Sequence, residues 1–358
     1  MTLRYACLLA LAFVAACGSD QTPEEPARPG GKQDRVMADG AGDGQSASDA
    51  AAASQPGYLA VDDNPSAGDI LPMPFRVIWQ PWQGDFDGMV ERRIVRAVVP
   101  FGGYQFYYED GLPKGAAYDL LQRMETYINK ELGRRNIRVY VVVIPVNRDE
   151  LIPAVLNGHA DLVAGDLTIT PERSDLVDFA RPMLKDIDEI IVTGPGAPPI
   201  DTLDDLAGRD IVVRESSSYN EHLQFLASAF KSRGLEPPDI HLADEILEAE
   251  DLLEMVNGGM IDITVMDDYK AEFWAEVFPN IVVRNDLILN KGGSIAWAMR
   301  KDSPQFAAMI GKFLKKYGKG TLVGNDTYNR YLSNAARVRC SHTSLALQKV
   351  QDLIEVFR

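Results

Sequence analysis

Between Arg93 and Asp286, short runs of β-branched and other apolar residues alternate with longer amphipathic stretches, the pattern of an α/β domain built on a largely parallel sheet. Ile94 to Val99 predicts a first strand. From Ala117 to Leu132 the apolar residues Leu120, Leu121, Met124, Ile128 and Leu132 recur at helical spacing, so they form the buried face of a helix rather than a binding stripe. Val139 to Ile144 is an uninterrupted apolar run ended by Pro145 and predicts a fully buried strand. A helix over Glu150 to Asn157 stops at Gly158. Asp161 to Ala164 predicts a short strand, followed by a loop from Gly165 to Arg173. In that loop Thr170, Pro171 and Glu172 have the order of an N-cap, a proline at the first helical position and an acidic first turn.

Glu189 to Thr193 predicts a strand leading into Gly194-Pro195-Gly196-Ala197-Pro198-Pro199, which can be neither helix nor central strand and is expected to mark a crossing between two lobes. The pattern then restarts. It predicts a helix at Leu203 to Leu206, a strand at Asp210 to Arg214, and a polar turn at Glu215 to Ser218. Helices over Tyr219 to Arg233 and Ala249 to Asn257 follow, then a strand at Ile261 to Met266. Near Asn290 to Gly293 the chain is expected to cross back, because Ser294 to Met299 reads as a strand and Ser303 to Lys316 as a helix. The expected plan is one lobe from 91–193 and 291–335 and a smaller one from 194–290.

The two ends read differently. Arg4 precedes an apolar stretch, Tyr5 to Ala16, too short to cross a bilayer as a mature helix, and residues 1–16 read as a secretory signal peptide. Val14-Ala15-Ala16-Cys17 resembles the bacterial lipoprotein box. That resemblance implies lipidation at Cys17 and a periplasmic, membrane-anchored lipoprotein, with Gly18 in place of an aspartate favouring the outer membrane. Residues 17–90 are expected to be a disordered tether, since Ala, Gly, Ser, Asp, Pro and Gln dominate up to Ala67 and bury too little to offset ordering entropy. In 336–358, Leu345, Leu347, Val350, Leu353, Ile354 and Phe357 predict an amphipathic tail helix.

A formal charge of −16 argues against nucleic acid or an anionic membrane surface as partner, because both reward basic clusters. Once Cys17 is lipidated, the mature chain keeps one thiol, Cys340, so neither a disulfide framework nor a cysteine metal site is expected. His159, His222, His241 and His342 stand far apart without ligand spacing. No metal and no cofactor is expected.

From Ile94 to about Leu332 the chain resembles the family 3 extracytoplasmic solute-binding proteins, which bind polar amino acids. The residues that carry the resemblance are Asp161-Leu162-Val163-Ala164-Gly165-Asp166-Leu167-Thr168-Ile169-Thr170-Pro171-Glu172-Arg173, with Val177-Asp178-Phe179 after them. The resemblance implies a two-lobed type II periplasmic binding protein fold, each lobe a mixed, mostly parallel sheet flanked by helices. It also implies a small-molecule ligand: an amino acid, a peptide or a muropeptide. Arg173 would meet the ligand carboxylate, since a bidentate guanidinium best replaces the water that group loses in a closed cleft. Thr168 would add a hydroxyl. Ser217 and Ser218, in a turn that opens a helix, would offer backbone N–H groups and the positive end of the helix dipole. Asp267 is the expected acceptor for the ligand ammonium, with Asp268 able to share the role. Tyr104 and Phe106, together with Phe101, are candidates for an aromatic cover. Asp166 departs from the family, because a small hydrogen-bond donor is usual at its position; it would repel a carboxylate or hold Arg173.

Within this family the chain is similar to the N-terminal modules of membrane-bound lytic murein transglycosylase F-like lipoproteins, through the Ser216-Ser217-Ser218-Tyr219 turn and Tyr328-Asn329-Arg330-Tyr331-Leu332. The non-catalytic module is the expected reading. The alternative is a truncated lytic transglycosylase with this module regulatory, whose chemistry needs a glutamic acid in a lysozyme-like domain. Glu215-Ser216 is the chain's Glu-Ser pair, and it falls in the serine turn. A cleft-carboxylate dehydratase is a further enzyme reading, carried by Asp166 beside Arg173. A permease or a cell-wall enzyme is the expected protein partner.

Overall fold

The computed structural model describes residues 78, 80–109, 111–134 and 136–332. The expected signal segment, Cys17, most of the expected tether and the tail helix lie outside the described residues. In chain order the first lobe has α1 (Phe86–Arg92), β1 (Ile94–Pro100), the hairpin β2 (Tyr107–Glu109) and β3 (Leu112–Lys114), α2 (Ala116–Glu131), β4 (Tyr140–Val146), α3 (Leu151–Leu156), β5 (Leu162–Thr168), α4 (Pro171–Leu176) and β6 (Val177–Phe179). Then β7 (Leu184–Thr193) leads to β8 (Asp210–Arg214), α5 (Ser218–Arg233), β9 (Asp239–Ala243), α6 (Ala249–Asn257), β10 (Ile263–Asp267) and α7 (Asp268–Ala275). β11 (Val282–Arg300) returns the chain to α8 (Pro304–Tyr317) and α9 (Leu322–Leu332).

The sheet is mixed, in the order β10-β7-β11-β5-β1-β4 with β6 added to β11. β1 pairs in parallel with β4 and β5, and β8 with β9. β11 is antiparallel to β5, β6 and β7, and β10 to β7. The antiparallel share comes from two long strands that pass from one core to the other. Met183, just before β7, belongs to the first core and Ile190, within it, to the second. On β11, Ile288 packs on the second core and Trp297 lies in the first. The passage between lobes is therefore made inside strands. Gly194 to Pro199, expected to mark it, comes after β7, where Gly194 N donates to Asp262 O of the second lobe. What reads in sequence as two separate strands around Asn290 is one strand of 19 residues with several register shifts.

The first core gathers Leu120, Leu121, Met124 and Ile128 of α2 with Phe306, Ile310 and Phe313 of α8, all fully buried, so the predicted face of α2 is the face that packs. Two predicted elements differ. β4 was expected to be a fully buried strand ended by Pro145; it lies at the edge of the sheet, with Tyr140 47% exposed, and continues past Pro145 to Val146. An edge strand tolerates the missing N–H, and the apolar run alone cannot tell an edge from a centre. The loop expected from Gly165 is instead the second half of β5, because Leu167 and Thr168 pair with Ala296 and Ile295. Gly165 lets β5 and β1 approach closely there: a Cβ would lie 3.1 Å from Pro100 Cδ of β1, a tight contact.

The last part of the expected tether is folded. Asp85 caps α1 by accepting from Phe86 N, and the same carboxylate accepts from Gln305 N and Phe306 N at the start of α8. Met89 is fully buried, and Phe86 stacks on Phe306 with centroids 6.1 Å apart. Arg96, also fully buried, donates to the carbonyls of Gln80, Trp82 and Gly158 and pairs with Asp161. The few apolar residues of this stretch find partners far along the chain, which a local reading of composition does not see.

Candidate ligand-binding cleft

The carboxyl ends of the strands converge on one cleft, the rule for open α/β sheets. Thr168 ends β5, Arg214 ends β8 and Asp267 ends β10; Gly102 to Gln105 follow β1, and Arg148 follows β4. These residues, with Asp166, Arg173, Ser216, Ser217, Ser218, Tyr219, Glu250 and Lys270, line a cleft of about 600 Å³ including its open mouth. Seven of the eight predicted binding residues are thereby brought together: Tyr104, Asp166, Thr168, Arg173, Ser217, Ser218 and Asp267. The eighth, Phe106, does not line the cleft. It is 2% exposed in the first core, edge-on to Tyr108 and Tyr118, and its carbonyl accepts from Gly102 N at 2.8 Å, so it supports the turn that carries Tyr104.

Arg173 is placed by the local signal seen in the sequence. Thr170 caps α4 by accepting from Arg173 N, and Pro171 occupies the first turn. The Arg173 side chain is buried and bonds across the cleft: Nε donates to Glu221 at 2.8 Å and Nη2 to Ser216 O at 2.9 Å, while Nη1 donates to Thr168 O of its own lobe at 3.2 Å. Thr168 Oγ1 lies 3.1 Å from Ser218 Oγ. Ser217 caps α5 by accepting from Asn220 N, and its hydroxyl donates to Arg214 O at 2.6 Å. Ser218 donates to the buried Glu189 at 2.7 Å, and Glu189 also meets His222 Nδ1 at 2.5 Å. Burial works against charge on His222, but the hydrogen bond and charge of Glu189 outweigh it and raise its pKa.

Asp267 pairs with Lys270 at 2.7 Å, and Asp267 N donates to Tyr219 OH at 3.2 Å. Tyr104 donates to Asp166, and its hydroxyl lies 3.5 Å from that of Tyr269. Burial first, and then the neighbouring carboxylates, push the phenols of Tyr104 and Tyr219 well above the ordinary range, so both remain neutral donors. Arg148, Arg214, Gln105, Glu250 and Lys270 were not singled out from sequence. For Arg148 and Arg214 the signal was present, since each stands at or just after the end of a strand. Arg148 donates to Glu248 of the other lobe at 2.7 Å. Arg214 is 5% exposed, and burial followed by the charge of Arg148 lowers its pKa. Burial and the charge of Glu248 push the Glu250 carboxyl up to about 7.

Four polar atoms of the lining are buried without a hydrogen-bond partner: Asp166 Oδ1, Asp267 Oδ1, Arg214 Nη1 and Gln105 Nε2. They are two anionic acceptors and two donors, the complement of a small zwitterion. At Gly102 to Tyr104 the cleft joins a wider groove walled by Phe101, Tyr107, Tyr108, Phe273, Trp274 and Tyr331. The cluster of Asp210, Asp239 and His241 lies apart from this lining and is exposed.

Three likenesses bear on this geometry. The chain is 27% identical over 271 residues to the membrane-bound lytic murein transglycosylase F of Aeromonas salmonicida, covering 75% of this chain and 50% of the relative. It spans about half the length of such relatives. Among solved structures, an ancestral arginine-binding protein bound to arginine superposes with a TM-score of 0.53 at 24% identity, over 67% of this chain and 98% of the other. An ancestral amino-acid-binding protein described as a precursor of cyclohexadienyl dehydratase gives 0.53 at 24% identity, over 69% and 98%. These establish the type II periplasmic binding protein fold. A family model matches residues 95–332, and with that match the chain belongs to the bacterial extracellular solute-binding proteins, family 3.

Proposed function

We propose that this protein is a lipid-anchored, non-catalytic receptor of the periplasm that closes its two lobes on an amino-acid-like ligand. The observation that carries the reading is the set of buried cleft atoms that have no hydrogen-bond partner, two carboxylate oxygens against a guanidinium nitrogen and an amide nitrogen. Arg173 and the N–H groups opening α5 hold the ligand carboxylate, and Thr168 adds a hydroxyl. Asp267 takes the ammonium, and Tyr104 covers the bound molecule. The aromatic groove beyond Gly103 gives room for an amino acid at the end of a small peptide or cell-wall fragment. Cys17 carries the lipid, and the outer membrane is the destination.

A thermal-shift screen of the purified protein against amino acids, small peptides and muropeptide fragments tests this. One chemical class raises the melting temperature in proportion to the logarithm of its concentration once the site is saturated. If no class does, the receptor reading fails. A second reading follows from the relatives: the same module as the regulatory part of a lytic transglycosylase. It is favoured if ligand binding to a full-length relative changes the rate at which that enzyme cleaves peptidoglycan, and discarded if the rate is indifferent to ligand.

A further inference from the structure

Asp166 stands apart from the other charged groups of the cleft. Arg148 is paired with Glu248, Arg173 with Glu221 and Asp267 with Lys270. Asp166 is 6% exposed on a central strand, accepts from Tyr104 on one oxygen and has no partner on the other. Among the described residues no cation lies within ion-pair distance of it. Glu250, the other lining carboxylate in that position, relieves its burial by keeping its proton up to about pH 7. Lys319 feels the Asp166 charge, but its ammonium lies over the rings of Tyr269 and Tyr328, at 5.4 and 5.2 Å, and burial lowers its pKa. The Tyr104 and Tyr328 hydroxyls are neutral donors to Asp166, and a buried carboxylate without a counter-ion is costly unless something else neutralises it.

We propose that Asp166 is the specificity-determining residue of the cleft: it holds the second cationic nitrogen of a dibasic ligand, an amino acid or amino-acid-terminated fragment bearing a side-chain amine. This rests on the reading of the cleft as an amino-acid site. Asp267 takes the α-ammonium from the other lobe, and Arg214 Nη1, which has no hydrogen-bond partner and stands 3.9 Å from Glu248, adds a donor to the ligand carboxylate. The ligand then supplies a hydrogen-bond partner to each buried charged atom of the lining that lacks one: Asp166 Oδ1, Asp267 Oδ1 and Arg214 Nη1. The feature that made Asp166 a misfit for a plain α-amino acid, a carboxylate in place of a small donor, becomes the contact that selects the ligand.

Calorimetric titrations with L-lysine, L-ornithine and L-norleucine separate the possibilities. The wild-type protein binds lysine or ornithine about 10- to 100-fold more tightly than norleucine, the worth of one charge-assisted hydrogen bond. Asp166→Asn removes the charge with little change of shape and brings lysine down to the level of norleucine, while norleucine itself is unaffected or slightly favoured. If the wild type binds norleucine as well as lysine, Asp166 does not select for charge and this inference falls, while the amino-acid reading stands. If Asp166→Asn keeps the preference for lysine, another carboxylate of the lining, such as Glu250, is the group involved and the inference falls as well. Binding of none of the three amino acids removes this inference, and the receptor reading is then decided by the peptides and muropeptide fragments of the thermal-shift screen. Melting of the unliganded variant shows whether it folds; if it does not, the wild-type preference for lysine over norleucine decides the matter alone.

Discussion

The two walls of the cleft are built on opposite plans. On the first lobe, Arg148, Arg173, Tyr104 and Thr168 all reach partners on the second: Glu248, Glu221 with Ser216 O, Tyr269 OH and Ser218. On the second lobe the polar groups also have partners at home. Lys270 holds Asp267, Glu189 holds Ser218, Arg214 O accepts from Ser217, and Glu245 accepts from Ser216 N. The second wall is thus held largely by its own bonds, while the first, beyond the bonds of Arg173 to Thr168 O and of Tyr104 to Asp166, spends more of its polar contacts across the cleft. A first-wall residue that bonds across the cleft should govern both ligand binding and closure, and a second-wall residue whose bonds stay at home, such as Ser217, should govern binding or local stability without changing how the lobes meet.

The largest expected effect is that of Arg173→Ala. It removes the proposed carboxylate donor and two bonds across the cleft, so titration should show affinity falling by roughly 100-fold or more. Small-angle scattering should show a ligand-saturated variant less compact than the wild type. Arg148→Ala leaves the proposed ligand contacts in place and removes one cross-cleft ion pair. Affinity should fall by about 5- to 10-fold, with closure again impaired; an unchanged scattering profile would break the comparison of the two walls. Ser217→Ala tests the pre-organised wall. Loss of the α5 cap should cost about 1 kcal/mol, a melting shift of roughly 2–4 °C, with closure unchanged.

The smallest effect is a pH dependence. Glu250 Oε1 packs so close to Gly103 of the first lobe that a Cβ there would lie 2.0 Å from it. Its carboxyl is pushed from an ordinary 4.5 to about 7 in the folded protein. Below about 4.5 folded and unfolded chains both carry the proton, and between there and about 7 the folded chain retains it preferentially. Stability therefore falls as pH rises through that window and levels off above it. Glu250→Gln should flatten the melting profile between pH 4.5 and 7 relative to the wild type.

Local chemistry was legible where it was local in cause. The Thr170-Pro171 start of α4, the helix over Ala249–Asn257 and the strand over Asp210–Arg214 follow from capping and periodicity, and the structure has them at those positions. What sequence patterning missed depends on distant partners. The edge position of β4, the docking of Asp85 and Phe86 on α8 and the 19-residue β11 are set by pairings between parts of the chain far apart in sequence. The site divides the same way. Arg173 and Asp267 stand in motifs, whereas Arg148 and Arg214 matter because two strand ends meet across a cleft. Phe106 was misread because an aromatic residue after a first strand can point into the ligand or into the core, and here it packs in the core.

The central claim is that a zwitterion lies between the two walls. The most direct measurement is a crystal structure of the protein with the amino acid that stabilises it most. The account predicts the ligand carboxylate on Arg173 and the first N–H groups of α5, with its ammonium on Asp267. A ligand held outside the cleft, or one that turns its ammonium away from Asp267, would contradict it.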